Sequence, residues 1–405
     1  MQHLRSAEEY RHLAEAAVCR SQADWLVGMN ATRAYTTKYF KKLTVGRVQT
    51  PTLAMLVERA GQISNFQKEK YFNVELDCDG IPAVKSKIFD PDEAEQLRSR
   101  CQGSEAIVTA VKETEKKVKA PKLYDLTTLQ REANRIYGMT AKQTLDTAQN
   151  LYEKKLITYP RTDSQYLTED MEQTARNVVR QIYEKYQLTG PFDQPEQPDV
   201  KKVMNNSKVT DHHAIIPTME LSSCHLDELK SWEEKILFLI AVHTVMAMSK
   251  DHIYQETEIE VECQGEIFKA KGKTVLQDGW KLFENCFKNK DRMAIVDPDQ
   301  EMKEKIPKVT QGQTFYAVAA EKTEHFTSPP KPYSEDTLLA AMETAGNKEF
   351  DEDTEKKGLG TPATRAGIIE KLIYSQYATR KGKQILPTED GKVLVEILPL
   401  SLIHI

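Results

Sequence analysis

At 405 residues the chain is too long for one ordinary domain and long enough for two to four. Apolar residues make up 40% and charged residues 29%, which supplies material for buried cores and argues against global disorder. A net charge of −5 excludes a globally basic nucleic-acid binder, so any DNA contact must use a local patch. No apolar run approaches the ~18 residues of a membrane span, and Met1–Tyr10 is charged, so neither a spanning helix nor a secretory signal is expected.

The six cysteines (Cys19, Cys78, Cys101, Cys224, Cys263, Cys286) stand far apart with no C-x-x-C pair. That spacing argues against a zinc ribbon and a disulfide scaffold, and it reads as incidental or buried thiols in a reducing cytoplasm.

Taken in order, residues 8–60 read as two helices flanking a basic stretch. Between Asp24 and Glu58 there is no acid, while Arg33, Lys38, Lys41, Lys42 and Arg47 are interleaved with Tyr35, Tyr39 and Phe40. Basic residues among aromatics suit a groove that tracks a single-stranded backbone and stacks bases, although a solvated helix face has the same composition. Tyr71–Cys78 alternates Phe72, Val74 and Leu76 with polar residues, the period of a half-buried strand. A charged segment, 112–122, leads into Asp125–Leu156, the clearest helical stretch. There Leu129, Ala133 and Ile136 share a face, Gly138 breaks the helix, and Thr140 with Gln143 forms a capping box before a second helix bearing Leu145, Ala148 and Tyr152.

Thr168 is expected to cap a further helix through Tyr183. Residues 188–210 read as a surface loop, and Trp232–Met248 as an apolar helix. Alternation over 256–280 turns at Gly265, and Thr314–Ala320 reads as one more strand. Ser334 is expected to cap a helix with Glu335 and Asp336 in its first turn. Gly358 and Gly360 precede Thr361 as N-cap and Pro362 at N1, which leaves free N–H groups for a phosphate. The fold class is multidomain α and β, with a chain that leaves domains and returns to them.

The chemistry concentrates in Leu156-Ile-Thr-Tyr-Pro-Arg-Thr-Asp-Ser164. Pro160 pushes Tyr159 out of the α region, and Arg161, two residues on, leaves an extended segment on the same side. A phenol beside a guanidinium suits attack on a phosphodiester, with Arg neutralising the phosphoryl oxygens and favouring the phenolate. A strand-end tyrosine packing on its neighbours would look alike over so short a stretch.

Ile157–Ser164 closely resembles the active-site tyrosine motif of type IA DNA topoisomerases, in the form typical of the topoisomerase III branch. Tyr124–Gln130 and Thr140–Glu153 resemble the helices before that tyrosine, and Asp211-His-His-Ala-Ile-Ile-Pro-Thr218 the histidine motif. Val45-Gly-Arg-Val-Gln-Thr-Pro-Thr52, Ala23–Asn30 and Gly358-Leu-Gly-Thr-Pro-Ala-Thr364 resemble further family segments, in family order from about residue 8 to 398.

The resemblance implies ATP-independent cleavage of single-stranded DNA. Tyr159 would form a 5′-phosphotyrosine link, with strand passage and religation to follow. Arg161 would hold the scissile phosphate, and His212 would contact a nearby one, unless it is simply a satisfied loop histidine. His213 falls where relatives carry Glu. Asp163 would either orient Arg161 or cap the helix opening near Thr168.

Arg20, Asp24, Arg47 and Gln49 would line the single-strand groove, and Arg33, Gln130 and Thr361 are further expected DNA contacts. The implied fold is a torus: a helical base (1–65 and 328–399), a β-rich arch (66–121 and 249–327) and a tyrosine-bearing helical/β domain (122–248). Duplex DNA would pass through its hole, and the protein would be a monomer of the bacterial cytoplasm and nucleoid.

The family's Toprim domain, which holds Mg²⁺, has no counterpart ahead of the basic stretch, so this chain is expected to bind no metal itself and to be an incomplete fragment. Leu400–Ile405 reads as a translated transposon end from sequencing-library preparation, so a non-native tail is expected there. A non-catalytic single-stranded DNA-binding module is the alternative function.

Other motifs fail. Gly272-Lys-Thr274 lacks the first glycine of a P-loop, since Ile267 stands there. His212 and His213 are adjacent, so they would point to opposite faces of a strand, unlike relaxase histidines. The absence of any His-x-x-Arg counts against a tyrosine recombinase. Asp77/Asp79 and Asp297/Asp299 lie in turn contexts and read as surface.

Overall fold

A computed structural model describes residues 6–188, 198–209, 211–284, 307–346 and 358–403. Cys286 and the Asp297/Asp299 pair fall outside those residues. None of the described helices is long and apolar enough to cross a membrane.

Helix α1 (Arg11–Tyr39) and helix α2 (Gln49–Ser64) flank the basic stretch, as the sequence suggests. A curled antiparallel sheet follows, built from β1 (Lys70–Cys78), β2 (Ile81–Ile88), β3 (Ala106–Val118), β4 (His252–Cys263), β5 (Glu266–Gln277), β6 (Thr314–Phe315) and β7 (Ala319–Phe326). The strand order is β6-β3-β4-β5-β2-β1-β7, and helix α3 (Pro91–Cys101) lies between β2 and β3 in sequence. The expected alternation holds in β1, where Phe72, Val74, Leu76 and Cys78 are buried.

Both hairpins turn on two residues of positive φ, Asp79–Gly80 and Gln264–Gly265, the conformation whose twist matches flanking strands. Asp77 supports the first by accepting from the Gly80 N–H at 2.7 Å. The charged segment beginning at Lys112 continues β3 as far as Val118, because its side chains face the β4 carboxylates; Lys112 lies opposite Glu258 and Lys116 opposite Tyr254, next to Glu256. Cross-strand pairs of opposite charge stabilise a solvated sheet face.

Thr314–Ala320 is not one strand. Ala317 takes φ 52 and breaks it, so β6 pairs with β3 at one edge of the sheet and β7 with β1 at the other. Three intervening residues therefore join opposite edges, which is what curls the sheet.

The Asp125–Leu156 stretch forms α4 (Leu126–Tyr137) and α5 (Ala141–Glu153). Gly138 ends α4 at φ 69, and Thr140 caps α5 with Gln143. Of the three residues on one face of α5, Leu145 and Ala148 are buried and Tyr152 is 39% exposed. Thr168 precedes only a short 3-10 turn, Glu169–Met171, without a side-chain cap bond, and α6 (Glu172–Tyr186) follows. Within the expected surface loop 188–210, Val200 and Val203 are buried against this unit. Two apolar side chains in a polar stretch suffice to pin it. Helix α7 (Ser231–Ala247) is apolar all round and is surrounded by protein from Ile236 onward.

The chain then closes with α8 (Glu335–Thr344), α9 (Pro362–Tyr374), a hairpin of β8 (Ala378–Lys381) and β9 (Gln384–Pro387), α10 (Glu389–Ile397) and α11 (Leu400–Ile403). Ser334 caps α8 by accepting from the Thr337 N–H. Leu402 and Ile403 pack against the neighbouring core.

Buried apolar side chains gather in three cores. One lies between α4, α5, α6 and α7 with the Ala214–Ile216 segment, one inside the curled sheet with α3, and one between α2, α8, α9 and the closing hairpin.

Candidate active site and nucleic-acid interface

Helix α5 ends at Glu153, and two residues on Lys155 takes φ 61 while Leu156 N–H returns to the Leu151 carbonyl at 2.9 Å. This left-handed exit is the usual way to satisfy the last carbonyls of a helix. It turns the chain alongside residues 214–218, with Thr158 N–H donating to Ile216 O and Thr218 N–H to Leu156 O, both at 3.0 Å. The Thr158 hydroxyl donates to Ala214 O and accepts from Ile216 N–H, each at 3.0 Å. The Thr162 hydroxyl donates to His212 O at 3.0 Å, and Thr162 O accepts from Leu126 N–H.

These ties impose alternation. Pro160, Thr162 and Ser164 are buried, whereas Arg161 and Asp163 are exposed and Tyr159 is half-buried. The Tyr159 ring lies 4.3 Å from the His212 ring, tilted by 45°, and 5.4 Å from the Tyr152 ring in an edge-on contact. Tyr159 and His212 are thus brought together. Tyr152, from the last turn of α5, is the second ring against Tyr159.

Arg161 and Asp163 have no hydrogen bond or ion pair among the described residues. Asp163 therefore neither orients Arg161 nor caps the turn after Thr168 here. His213 has its Nδ1 2.8 Å from Ala214 O.

Asp125 supports this segment from below. It caps α4 by accepting from the Thr128 N–H at 2.7 Å, and its own carboxyl is buried. Burial pushes that carboxyl up from 3.8 to about 6, against the opposing hydrogen bonds from Thr128. The folded state thus holds its proton at a pH where the unfolded chain has lost it, and stability falls as pH rises from about 4 to about 6. Asn caps as well as Asp. Asp125→Asn should therefore be more stable than the parent at pH 7.5 by about 1–3 kcal/mol and lose that advantage near pH 4. Urea titrations at both pH values give the answer, and equal differences at the two would refute it.

The basic stretch folds back along its own helix. Thr36 both donates to Leu43 O and accepts from Leu43 N–H, Thr32 does the same with Val45, and Arg47 pairs with Asp24 at 3.0 Å. Arg20 and Arg33 are exposed. The strip is less bare than its sequence implies, because Lys41 is paired with Asp390 of α10 at 2.6 Å.

Gln49 lies inside, 2% exposed, and neither of its amide atoms has a partner. A buried unpaired amide costs on the order of 1–3 kcal/mol, so the position is poised for a polar group. Gln130 is fully buried, donating from Nε2 to Ala141 O at 3.0 Å. It ties α4 to α5, while its Oε1, like the Gln49 amide, is buried without a hydrogen-bond partner.

Thr361 begins α9, its N–H donating to the Thr364 hydroxyl. A Cβ on Gly360 would stand 3.3 Å from Val48 Cγ1, so this loop abuts the start of α2. Arg365, which sequence reading did not single out, joins the two regions. It is buried, donates to Leu359 O, Gly360 O and the Thr127 hydroxyl, and so links the glycine loop to α4 beside Thr162. The only sequence signal for it was a cation in the apolar face of α9.

Among the described residues no group of three or more His, Cys, Asp or Glu side chains could hold a metal ion.

A family model described as DNA topoisomerase matches residues 8–404. The chain is 39% identical to DNA topoisomerase 3 of Bacillus licheniformis over 98% of its own length and 56% of that protein's. It is likewise 39% identical to DNA topoisomerase 3 of Bacillus subtilis over 99% of this chain and 56% of the relative. Among solved structures it resembles full-length topoisomerase I from Thermotoga maritima, with a TM-score of 0.72 and 25% identity over 94% of this chain and 60% of that one. The chain thus spans just over half the length of these curated relatives.

Proposed function

Because this chain belongs to the type IA DNA topoisomerases, on the topoisomerase III branch, we propose that it carries the nucleophile half of a single-strand cleaving and resealing enzyme. The observation that carries the reading is the pairing of Tyr159 with His212 beside an unengaged, exposed Arg161. The Tyr159 oxygen attacks phosphorus, the bond from phosphorus to the 3′-oxygen breaks, and the link formed is a 5′-phosphotyrosine. The phenol gives up a proton and the departing 3′-oxygen gains one, so the reaction is reversible and needs no ATP. Arg161 neutralises charge on the equatorial oxygens, and His212 binds an adjoining phosphate.

Arg20, Asp24, Arg33, Arg47 and Thr361 form the single-strand track, and the unpaired Gln49 amide at its inner edge supports that placement. Mg²⁺ belongs to the family reaction, with its ligands on the Toprim domain, and no step assigned to this chain runs through it. We assign 1–65 with 328–399 to the base, 66–121 with 249–327 to the arch, and 122–248 to the tyrosine domain. The protein would act as a monomer in the bacterial cytoplasm, passing a second DNA segment through the opened strand.

The test is to incubate the chain with a labelled single-stranded oligonucleotide and Mg²⁺, with and without a separately expressed Toprim domain of a relative. A covalent adduct is the expected product. Salt-sensitive binding with no adduct under any condition would instead establish a non-catalytic single-strand binder.

A further inference from the structure

Phe40 is the most exposed large apolar side chain among the described residues, at 95%. It caps α1 in the left-handed region, φ 51 and ψ 29, which is disfavoured for a residue with a β-carbon. Water around the ring and strain in the backbone both oppose phenylalanine at this position, and glycine would relieve both. Such conformations persist where the surroundings impose them, and here they do. The Thr36–Leu43 and Thr32–Val45 hydroxyl ties, the Thr44 N–H to Tyr377 hydroxyl bond and the Lys41–Asp390 ion pair clamp the chain on the far side of the corner. On the near side Tyr35 and Tyr39 are stacked, with Lys38 over the second ring.

Resting on the single-strand reading above, we infer that Phe40 is a base-stacking platform that closes the far end of the single-stranded DNA track. The corner stands roughly 15 residues of α1, about 22 Å, beyond the Asp24–Arg47 pair. Lys38 and Lys42 flank it, the sequence from 25 to 57 carries no acid, and the one acid seen paired at the corner, Asp390, is matched by Lys41. Cations around a rigid, solvent-facing ring match a polyanion carrying unstacked bases. The same cations would repel a second copy of this surface.

The test compares oligothymidylates of about 4 and about 16 nucleotides by fluorescence anisotropy. Phe40→Gly is expected to bind the long oligonucleotide about 5- to 100-fold more weakly, to bind the short one unchanged, and to unfold no earlier than the parent, because glycine suits the left-handed corner. Phe40→Trp is expected to restore the long-oligonucleotide affinity. Undiminished long-oligonucleotide binding by Phe40→Gly overturns the platform while leaving the single-strand track standing. So does a self-association of the parent that this substitution abolishes without affecting DNA. If the parent binds neither oligonucleotide, both the platform and the reading beneath it fall.

Discussion

Tyr159→Phe should reduce the covalent adduct with single-stranded DNA to nothing detectable, while single-strand affinity stays within about twofold of the parent. The two halves of that expectation have different causes. On the proposed reading, removing that one oxygen removes the nucleophile and leaves the rest of the segment in place. Tyr152, the nearest other phenol, meets Tyr159 edge-on from the last turn of α5 and does not share its extended segment. The ring itself remains, and with it the contacts to His212 and Tyr152. The position of the segment does not depend on the phenol, because Thr158 and Thr162 hold it through bonds to Ala214, Ile216 and His212.

His212→Ala gives the complementary result. It should weaken adduct formation by about 10- to 100-fold without abolishing it, as expected for a group that binds charge and does not form the bond. Gel separation of adduct after denaturation measures the first effect, and anisotropy measures the affinity. An adduct that persists in Tyr159→Phe would place the nucleophile elsewhere and would undo the assignment of the whole segment.

Much of this segment's geometry is legible in its sequence. Pro160 fixes an extended backbone, and an extended backbone sends residues 159 and 161 one way and 160 and 162 the other; burial follows that alternation. The histidine segment was identifiable by resemblance, but its contact with Tyr159 is a tertiary fact that no local pattern encodes. What stayed hidden shares one property, a dependence on partners distant in sequence. Gln130 looks like a surface amide on a helix, and only the arrival of α5 makes it an internal tie to Ala141. Lys41 reads as a free cation until Asp390 is brought beside it. Thr314–Ala320 has strand composition throughout, yet a single residue at positive φ sends its two ends to opposite edges of the sheet. Arg365 was invisible because a lone arginine in a helix says nothing about carbonyls waiting across the interface.

The glycine loop before α9 allows a sharp test of how far such tertiary facts control stability. Gly358→Ala should destabilise the protein by about 3 kcal/mol or more, because two costs add. The residue sits at φ 64, where any side chain is disfavoured. Its Cβ would also stand 2.3 Å from Met342 O and 2.4 Å from Glu343 O. Both obstacles are backbone atoms at the end of α8, so no rotamer change relieves them. The loop must move, and its movement breaks the 2.7 Å bond from Leu359 N–H to Met342 O and misplaces the carbonyls that Arg365 holds. A buried guanidinium that loses its acceptors is costly in its own right.

Gly367, nine residues on, is the matched comparison. It lies within α9 with nothing within 4 Å of where a Cβ would go. Gly367→Ala should therefore stabilise by about 0.5–1 kcal/mol through helix propensity alone. Denaturant titration of the two variants should separate them by roughly 4 kcal/mol in opposite directions from the parent, and hydrogen exchange should show lost protection in α8 and the first turn of α9 for Gly358→Ala only. Equal stability of the two variants would mean that the loop does not pack against α8 as described, and the route from the glycine loop through Arg365 to the tyrosine segment would lose its anchor.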